Sequence, residues 1–312
     1  MASEQGATAR RDPPKAADVS LANLVYRGKQ RRYAFLPGLA PILVLYGIFL
    51  VAPMLLLGRY SFYYILPGTV HVRGAWSLDS YYRFFSDLFY LKVLAETLLV
   101  GFAVVAISVV LSYPIAYVLA RVRVGKGVLF IMVLAPFFVS QVVKTYAWMI
   151  ILSNQGFLNW FLLSLGVINE PIQLLYNRIG MIIGMVHVLM PFLILTLESV
   201  IREIHDEVLD AARSLGAPER QIFLRIVLPL SVPGLIAGSL IVFSLAISIF
   251  TTPALMGGDR VQLMSNFIYK RAISLLDWPL ASVSAWVLLL TGTLIVAAYL
   301  KMVTPRRGGG SI

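Results

Sequence analysis

The stretch that decides the fold runs Asp206-Glu207-Val208-Leu209-Asp210-Ala211-Ala212-Arg213-Ser214-Leu215-Gly216-Ala217-Pro218 and continues to Arg225-Ile226-Val227-Leu228-Pro229. We call residues 206–229 the elbow. Its chemistry predicts a helix, a break and a second helix. Asp206 is expected to cap the first helix, Gly216 to take the left-handed conformation after it, and Pro218 to open the second helix.

One face of the first elbow helix is predicted to be apolar. Val208, Leu209, Ala212 and Leu215 share that face at helical spacing, and the charged residues occupy the others. An amphipathic helix outside a bilayer needs something to cover its apolar side. The helix either lies on its own membrane domain or the lipid surface, or it docks onto a soluble partner.

The composition identifies an integral membrane protein. The chain has 312 residues, is 59% hydrophobic and 13% charged, and has a mean hydropathy of +0.83. A membrane-spanning helix needs about 20 mainly apolar residues. Six stretches meet this requirement, and six spans put both termini on one side. They cover residues 35–57, 93–119, 127–150, 179–197, 232–256 and 281–300.

The basic residues predict which side is cytoplasmic. Seventeen Lys and Arg residues fall in the termini, the 121–126 connection and residues 202–225, which include most of the elbow, and nine fall in the opposite connections. Cytoplasmic loops carry the excess of positive charge, so the termini and the elbow are expected in the cytoplasm. Dispersed charges flanking spans are typical of contact with anionic lipid headgroups rather than nucleic acid.

Three segments are expected. Residues 1–33 form a basic cytoplasmic tail, residues 34–303 form the transmembrane domain that contains the elbow, and residues 304–312 form a second tail. The first apolar span has full length and no convincing cleavage site, so we expect it to remain as an anchor. The chain contains no cysteine, which excludes disulfides and thiol chemistry.

Catalytic motifs are missing from the sequence. It contains no GxxxxGK[ST] phosphate loop, which excludes ATP binding by that route. His71, His187 and His205 fall in an outer loop, a span and a cytoplasmic loop, so we expect neither a metal site nor a metal cofactor. Without a nucleophile motif or paired carboxylates in a soluble pocket, an enzyme is not expected.

Polar residues within the spans are the remaining functional candidates. Ionisable groups in hydrocarbon are costly and often mark a translocation path. Glu96, Lys144 and Glu198 lie near span ends, where exposure at the interface is an alternative. Gln141 and His187 lie deeper and either bond neighbouring helices or line a substrate route. Four prolines interrupt the spans, at positions 114, 136, 191 and 253.

The elbow resembles the EAA signature of membrane subunits of ATP-binding-cassette importers. The resemblance rests on Asp210-Ala211-Ala212, Gly216 and the Ile226-Val227-Leu228-Pro229 run at matching spacing, with Asp210 where the family usually has glutamate. It implies the six-helix, all-α permease fold of type I importers, called MetI-like. It also implies that the elbow couples to a separate ATPase subunit, which would bind ATP and magnesium. The coupling residues it implies are Glu207, Asp210, Ala211, Ala212, Gly216, Ile226, Leu228 and Pro229.

Outer segments are similar to the spermidine/putrescine permeases. They comprise residues 144–148, 154–159 and 252–258, and branches for ferric ion, sulfate, phosphonates or opines share much of this pattern. The resemblance implies a bacterial inner-membrane subunit paired with a second permease and served by an extracytoplasmic binding protein. A self-contained secondary transporter is the alternative class. The expected substrate-path residues are Glu96, Gln141, Lys144, Tyr146, Trp148 and His187.

Overall fold

The computed structural model describes residues 36–65, 72–73, 76–122, 124–258 and 261–303. The predicted tails, residues 1–33 and 304–312, lie outside the described residues. The described chain is almost entirely helical, apart from one antiparallel pair of two-residue strands, β1 (Tyr64–Ile65) and β2 (Val72–Arg73). This agrees with the predicted all-α membrane fold.

Thirteen α-helices are present in the described ranges. They are α1 (Leu36–Tyr46), α2 (Ala52–Tyr60), α3 (Asp79–Ser86), α4 (Leu88–Arg121), α5 (Lys126–Phe138), α6 (Gln141–Leu152), α7 (Phe157–Ser164), α8 (Arg178–Arg202), α9 (Asp206–Ser214), α10 (Glu219–Ile222), α11 (Leu228–Ser248), α12 (Met264–Tyr269) and α13 (Trp278–Val303). Four π-helical turns join or extend them, at Gly47–Val51, Phe223–Val227, Pro253–Gly257 and Lys270–Ser274.

Two of the π-helical turns accommodate prolines. Ala52 N–H bonds Gly47 O just before Pro53, and Leu228 N–H bonds Phe223 O just before Pro229. A proline has no N–H to donate, and its ring collides with the carbonyl four residues earlier. The wider turn moves that carbonyl away, so the helix continues through the proline.

Residues 36–56 form a unit separate from residues 57–303. The first predicted span corresponds to an apolar helical segment, Pro41–Tyr60, with none of its side chains buried. Ile42, Leu43 and Phe49 are among its exposed apolar residues. Such a surface fits the hydrocarbon of a bilayer.

The second unit is built around α4, α8 and α11, which pack against one another. Glycines allow the close approach of α11 to α8, because a Cβ at Gly234 or Gly238 would collide with Val200 or Leu193. The buried core between these helices extends to Leu209 in the elbow. A second apolar core joins α3, α12 and α13 to the first turns of α4.

In the part of the chain that the structure describes, the six predicted spans correspond to five long apolar helices and one bent pair, with two corrections. The third stretch was expected to be continuous over 127–150, but α5 and the helical stretch Gln141–Ser164, which contains α6 and α7, are bent by 99° across Val139 and Ser140. Both of these residues have extended backbone, which ends the helical hydrogen bonding.

The fifth stretch was expected to cover 232–256, but its helix runs from Glu219 to Ser248 and ends at the extended residue Ile249. The second helix of the elbow is therefore the first part of a span, and the π-helical turn at Phe223–Val227 keeps the helix continuous through Pro229.

Candidate functional site

The elbow is a tight corner between α9 and α10. Gly216 has a φ of 79°, as its predicted left-handed role requires. Its N–H donates to Arg213 O at 2.9 Å, and Ala217 N–H donates to Ala212 O at 3.1 Å. These two bonds form a Schellman motif, which satisfies carbonyl groups that α9 would otherwise leave free.

Two details of the elbow differ from the prediction. Asp206 is the first helical residue rather than the cap, which is His205. The carboxylate of Asp206 instead accepts a bond at 3.0 Å from Arg121, a residue 85 positions earlier. Pro218 is the residue before α10 rather than its first member, with the extended ψ of 151° expected of a cap. A partner outside the elbow thus replaces the predicted local cap.

Two ion pairs on the exposed side of the elbow connect α9 to α10. The guanidinium of Arg213 contacts Asp210 Oδ1 at 2.8 Å and Glu219 Oε1 at 2.7 Å, so it joins α9 to α10. The hydrogen bond from Arg213 lowers the pKa of the Glu219 carboxyl, and the bond to Glu219 contributes most to the raised pKa of Arg213. All three side chains are solvent-exposed, so the ion pairs shape the corner more than they stabilise the chain.

The apolar side of α9 is divided between two environments. Leu209 is 3% exposed, and Ala212 packs against the same membrane-domain core. Leu215 is 88% exposed and Val208 is 45% exposed. The predicted single face is therefore partly covered by the chain's own membrane domain and partly open.

The other predicted coupling residues surround this open part. Glu207, Asp210, Ala211 and Gly216 are exposed, and Pro229 is exposed farther along the helix. Ile226 and Leu228 are half-buried and pack against the core next to the π-helical turn. The elbow therefore presents Val208, Ala211 and Leu215 on a corner whose other side is fixed to the membrane-spanning helices.

Near the elbow, a carboxylate is buried at the end of α8. Glu198 is 3% exposed and lies 3.1 Å from Lys126 Nζ and 3.6 Å from Arg202 Nη1. A buried carboxylate requires a positively charged partner, and Lys126 is the closer of the two, while Arg202 is farther away and 59% exposed. The expected alternative, exposure of Glu198 at the interface, is therefore wrong.

Within the membrane, α6 carries a polar face next to the break from α5. Gln141, Lys144, Thr145 and Trp148 occupy that face at helical spacing. Lys144 Nζ donates to Pro136 O at 2.9 Å, which satisfies a carbonyl at the interrupted end of α5. Lys144 thus stabilises the break that the sequence did not predict.

This face meets two other elements. Trp148 and His187 of α8 have ring centroids 5.5 Å apart, and Thr145 Oγ1 lies 3.3 Å from Thr252 Oγ1, beyond the end of α11. We call Gln141, Lys144, Thr145, Trp148, His187 and Thr252 the polar cluster. Among the described residues, Gln141 Nε2 and His187 Nδ1 are buried without a hydrogen-bond partner. Such atoms can bind water or a polar ligand group.

Two predicted path residues lie apart from the cluster. Glu96 of α4 forms an ion pair with Arg178, the first residue of α8. Tyr146 is 51% exposed and falls off the polar face of α6. The structure therefore brings together four of the six predicted path residues, Gln141, Lys144, Trp148 and His187.

A largely apolar cavity of about 540 Å³ opens between α4, α5 and α8. His187 and Pro136 line it, so it adjoins the polar cluster. In the described part of the chain, no group of three or more His, Asp or Glu side chains is placed to hold a metal ion. The arrangement offers hydrogen bonding and ring faces to a solute.

In the sequence, Arg121 and Arg178 stand out only as charged residues in connections. Their partners, Asp206 and Glu96, are 85 and 82 residues away in the chain. The position of Arg121 at the end of an apolar span was the one available signal, because a cation there can bond helix carbonyls.

Comparisons with known proteins agree with this architecture. Residues 77–309 match the family described as "Binding-protein-dependent transport system inner membrane component". The spermidine/putrescine transport system permease protein PotB of Escherichia coli K12 is 36% identical over 230 residues, which are 73% of this chain and 83% of PotB. The inner membrane ABC transporter permease protein YdcU of the same strain is 29% identical over 288 residues, 86% of this chain and 90% of YdcU.

A solved structure shares the fold. A chain in the crystal structure of a bacterial alginate ABC transporter, in complex with a periplasmic protein bound to an alginate pentasaccharide, superposes with a TM-score of 0.74. The sequences are 19% identical, and the match covers 89% of this chain and 96% of the other. This likeness supports the helical architecture.

Proposed function

Because this chain belongs to the family of binding-protein-dependent transport system inner membrane components, we propose that its elbow couples a separate ATPase to solute import. The chain is a multi-pass inner-membrane permease subunit of an ATP-binding-cassette importer. We further propose which segment receives the movement of the ATPase, which subunits the permease binds, and that the solute is a polyamine.

The main support for the coupling role is that the apolar face of α9 is buried on one side and exposed on the other. Leu209 fixes the helix to the membrane domain, and Leu215 is left 88% exposed on the other side. Covering an exposed leucine with a protein partner stabilises a complex by about 2 kcal/mol. Glu207 and Asp210 flank the apolar residues and give the contact a polar rim. A soluble subunit with a matching cleft would bind this corner.

That subunit would supply the ATPase activity. The sequence of this chain has no GxxxxGK[ST] loop, and a P-loop ATPase needs one to hold ATP and magnesium. Closure of a pair of nucleotide-binding subunits would move the elbow, and the spans would open toward the outside to accept solute. Hydrolysis would then reset the complex. In this account, the permease chain itself performs no catalysis.

We infer that the elbow and both termini face the cytoplasm. The excess of positive charge on that set of connections supports this orientation. The opposite face would then receive solute from an extracytoplasmic binding protein. A second permease, encoded by a different chain, would form the other half of the pore.

A polyamine is the proposed solute. Support comes from the 36% identity to PotB, whose name describes spermidine and putrescine transport. The polar cluster is chemically compatible, because Trp148 offers an aromatic face to an ammonium group and Gln141 offers an amide. We propose Gln141, Lys144, Trp148 and His187 as path residues next to the break between α5 and α6, and Glu96 and Tyr146 as further contacts.

The test is uptake by the complex purified through this chain and reconstituted into liposomes with ATP inside and binding protein outside. The panel contains putrescine, spermidine, ferric ion, sulfate, a phosphonate and an opine. We expect saturable, ATP-dependent uptake of a polyamine. Uptake of another member alone would replace the solute assignment and leave the coupling proposal in place.

A self-contained secondary transporter predicts a different result. The permease by itself would then move solute down a gradient without ATP, an ATPase subunit or a binding protein. Such uptake by the purified chain, at the rate of the full complex, would contradict the coupling role.

A further inference from the structure

One side chain fixes the start of the elbow to the membrane-spanning helices. Arg121, the last residue of α4, donates from Nη1 to Ile204 O and Asp206 Oδ1, both at 3.0 Å, and from Nη2 to Ile201 O at 3.2 Å. We propose that Arg121 is the positioning residue that transmits movement of the elbow to α4. This inference rests on the coupling role proposed above.

The acceptors explain why an arginine is needed. Ile201 and Ile204 lie where the regular hydrogen bonding of α8 stops, and a helix C-terminus attracts a positive charge. A guanidinium is a planar fork with several fixed donors, so it can bond acceptors on different elements at once. The Arg121 side chain is only 19% exposed, and its two bonds to backbone carbonyls are partly buried, while Asp206 is 53% exposed.

The three bonds connect α4 to both sides of the short connection between α8 and α9, which we call the hinge. Only residues 203–205 separate these helices. Arg121 holds an acceptor in α8 (Ile201), one in the connection (Ile204) and one in the first residue of α9 (Asp206). A displacement of α9 must therefore either carry Arg121 and α4 with it or break the bonds.

The same two long helices are joined again at their other ends. Glu96 of α4 pairs with Arg178 at the start of α8. Glu96 and Arg121 are 25 positions apart, which corresponds to about 38 Å at 1.5 Å per helical residue, roughly the thickness of a membrane. Since α4 and α8 also pack along their length, they form one helix pair that extends from the elbow to the opposite surface.

A nearby arginine provides a matched control. Arg202, the last residue of α8, lies at the same hinge, but its ion pair with Glu198 is within its own helix. Replacing Arg202 removes the same charge from the same region without cutting the link between α4 and the elbow. Loss of charge and loss of the link can therefore be separated.

The experiment compares wild type, Arg121→Gln, Arg121→Lys and Arg202→Gln as full complexes in liposomes, with uptake and ATP hydrolysis measured on the same samples. We expect Arg121→Gln to keep hydrolysing ATP while solute moved per ATP falls at least tenfold. Arg121→Lys should give an intermediate ratio, because an ammonium lacks the fork. Arg202→Gln should stay within twofold of wild type.

A distance measurement tests the link without relying on transport. The chain has no cysteine, so spin labels can be placed at Val118→Cys in α4 and Ser214→Cys in α9, both at exposed positions. We expect a narrow distance distribution in the otherwise wild-type complex and a broadened one with Arg121→Gln. If Arg121→Gln does not assemble, Arg121→Lys is measured in the same way.

The outcomes separate the two proposals. A transporting wild-type complex whose Arg121 variants keep both the transport ratio and the narrow distribution would overturn the role of Arg121 alone. A wild-type complex without ATP-driven uptake would overturn the coupling function, and broadening by Arg121→Gln would still support the structural link.

Discussion

The elbow and the polar cluster differ in how their polar groups are satisfied. In the elbow, carbonyls of α9 accept the Schellman bonds, and Arg213 bonds both Asp210 and Glu219. In the cluster, Gln141 Nε2 and His187 Nδ1 are buried without a partner among the described residues. In the elbow these polar groups have partners within the corner, and Val208 and Leu215 are exposed beside them. The cluster leaves hydrogen-bonding capacity open, as a site for a solute would.

The largest expected effect comes from Gly216→Pro in the elbow. Proline cannot adopt a φ of 79°, and it lacks the N–H that Gly216 donates to Arg213 O. We expect ATP-driven uptake to fall to background while the protein remains in the membrane. Uptake and ATP hydrolysis in liposomes measure this.

The control is Gly166→Pro at the end of α7. Gly166 also has positive φ, 67°, and its N–H also donates to a carbonyl of the preceding helix, that of Leu163. We expect most transport to remain. Equal loss in the two variants would mean that uptake reports general folding damage instead of a special role of the elbow.

The next largest effect tests the open apolar surface. Leu215→Ser should weaken binding of the ATPase subunit about 30-fold, the equivalent of about 2 kcal/mol for a buried leucine contact. The thermal stability of the permease alone should stay unchanged, because the side chain is exposed. Titration of the ATPase subunit onto the purified permease provides the affinity.

Leu165→Ser is the matched variant for Leu215→Ser. Leu165 is the capping residue after α7, as Leu215 is after α9, and it is 60% exposed. It should leave the affinity for the ATPase subunit unchanged. If both serine variants bind that subunit with wild-type affinity, the elbow does not dock through Leu215.

A smaller effect is expected in the cluster. Gln141→Leu removes one unpaired amide at similar volume, so the fold should tolerate it. We expect the KM for solute to rise about fivefold while ATP hydrolysis stays within twofold of wild type. Val143→Leu, at an exposed position two residues away, is the control. An unchanged KM in Gln141→Leu would remove this residue from the proposed path.

The smallest effect concerns pH at the elbow. Arg213 lowers the pKa of Glu219 in the folded protein, so their pair contributes stability above the unfolded pKa of about 4.3 and loses it as pH falls through the folded value. Wild type should therefore melt slightly above Glu219→Gln at pH 7. The difference should vanish in strongly acidic buffer, and a difference independent of pH would contradict the pairing.

Features that depend on neighbouring residues in the chain could be predicted from the sequence. The corner at Gly216 was predicted because a glycine after an amphipathic helix and a proline two residues later suffice to specify it. The six apolar stretches were predicted because a bilayer imposes length and composition locally. The split of the α9 face was not predicted, since helical spacing does not show which neighbour covers Leu209 and which leaves Leu215 open.

Long-range contacts explain the remaining failures. The break at Val139 and Ser140 contains neither glycine nor proline, and Pro136 lies three residues earlier. Lys144 satisfies a carbonyl freed by that break, a contact that only the folded chain reveals. Asp206 was assigned as a local cap because its partner, Arg121, is far away in sequence.

The coupling role requires that the open side of the elbow binds the ATPase subunit. The most direct measurement places photoreactive benzoylphenylalanine at position 215 or, for comparison, at position 165 in the transporting complex. Irradiation should crosslink position 215 to the nucleotide-binding subunit, with a yield that changes on adding ATP, and should give no such product from position 165. A complex that transports solute but yields no crosslink from position 215 would contradict docking of the ATPase subunit on the elbow.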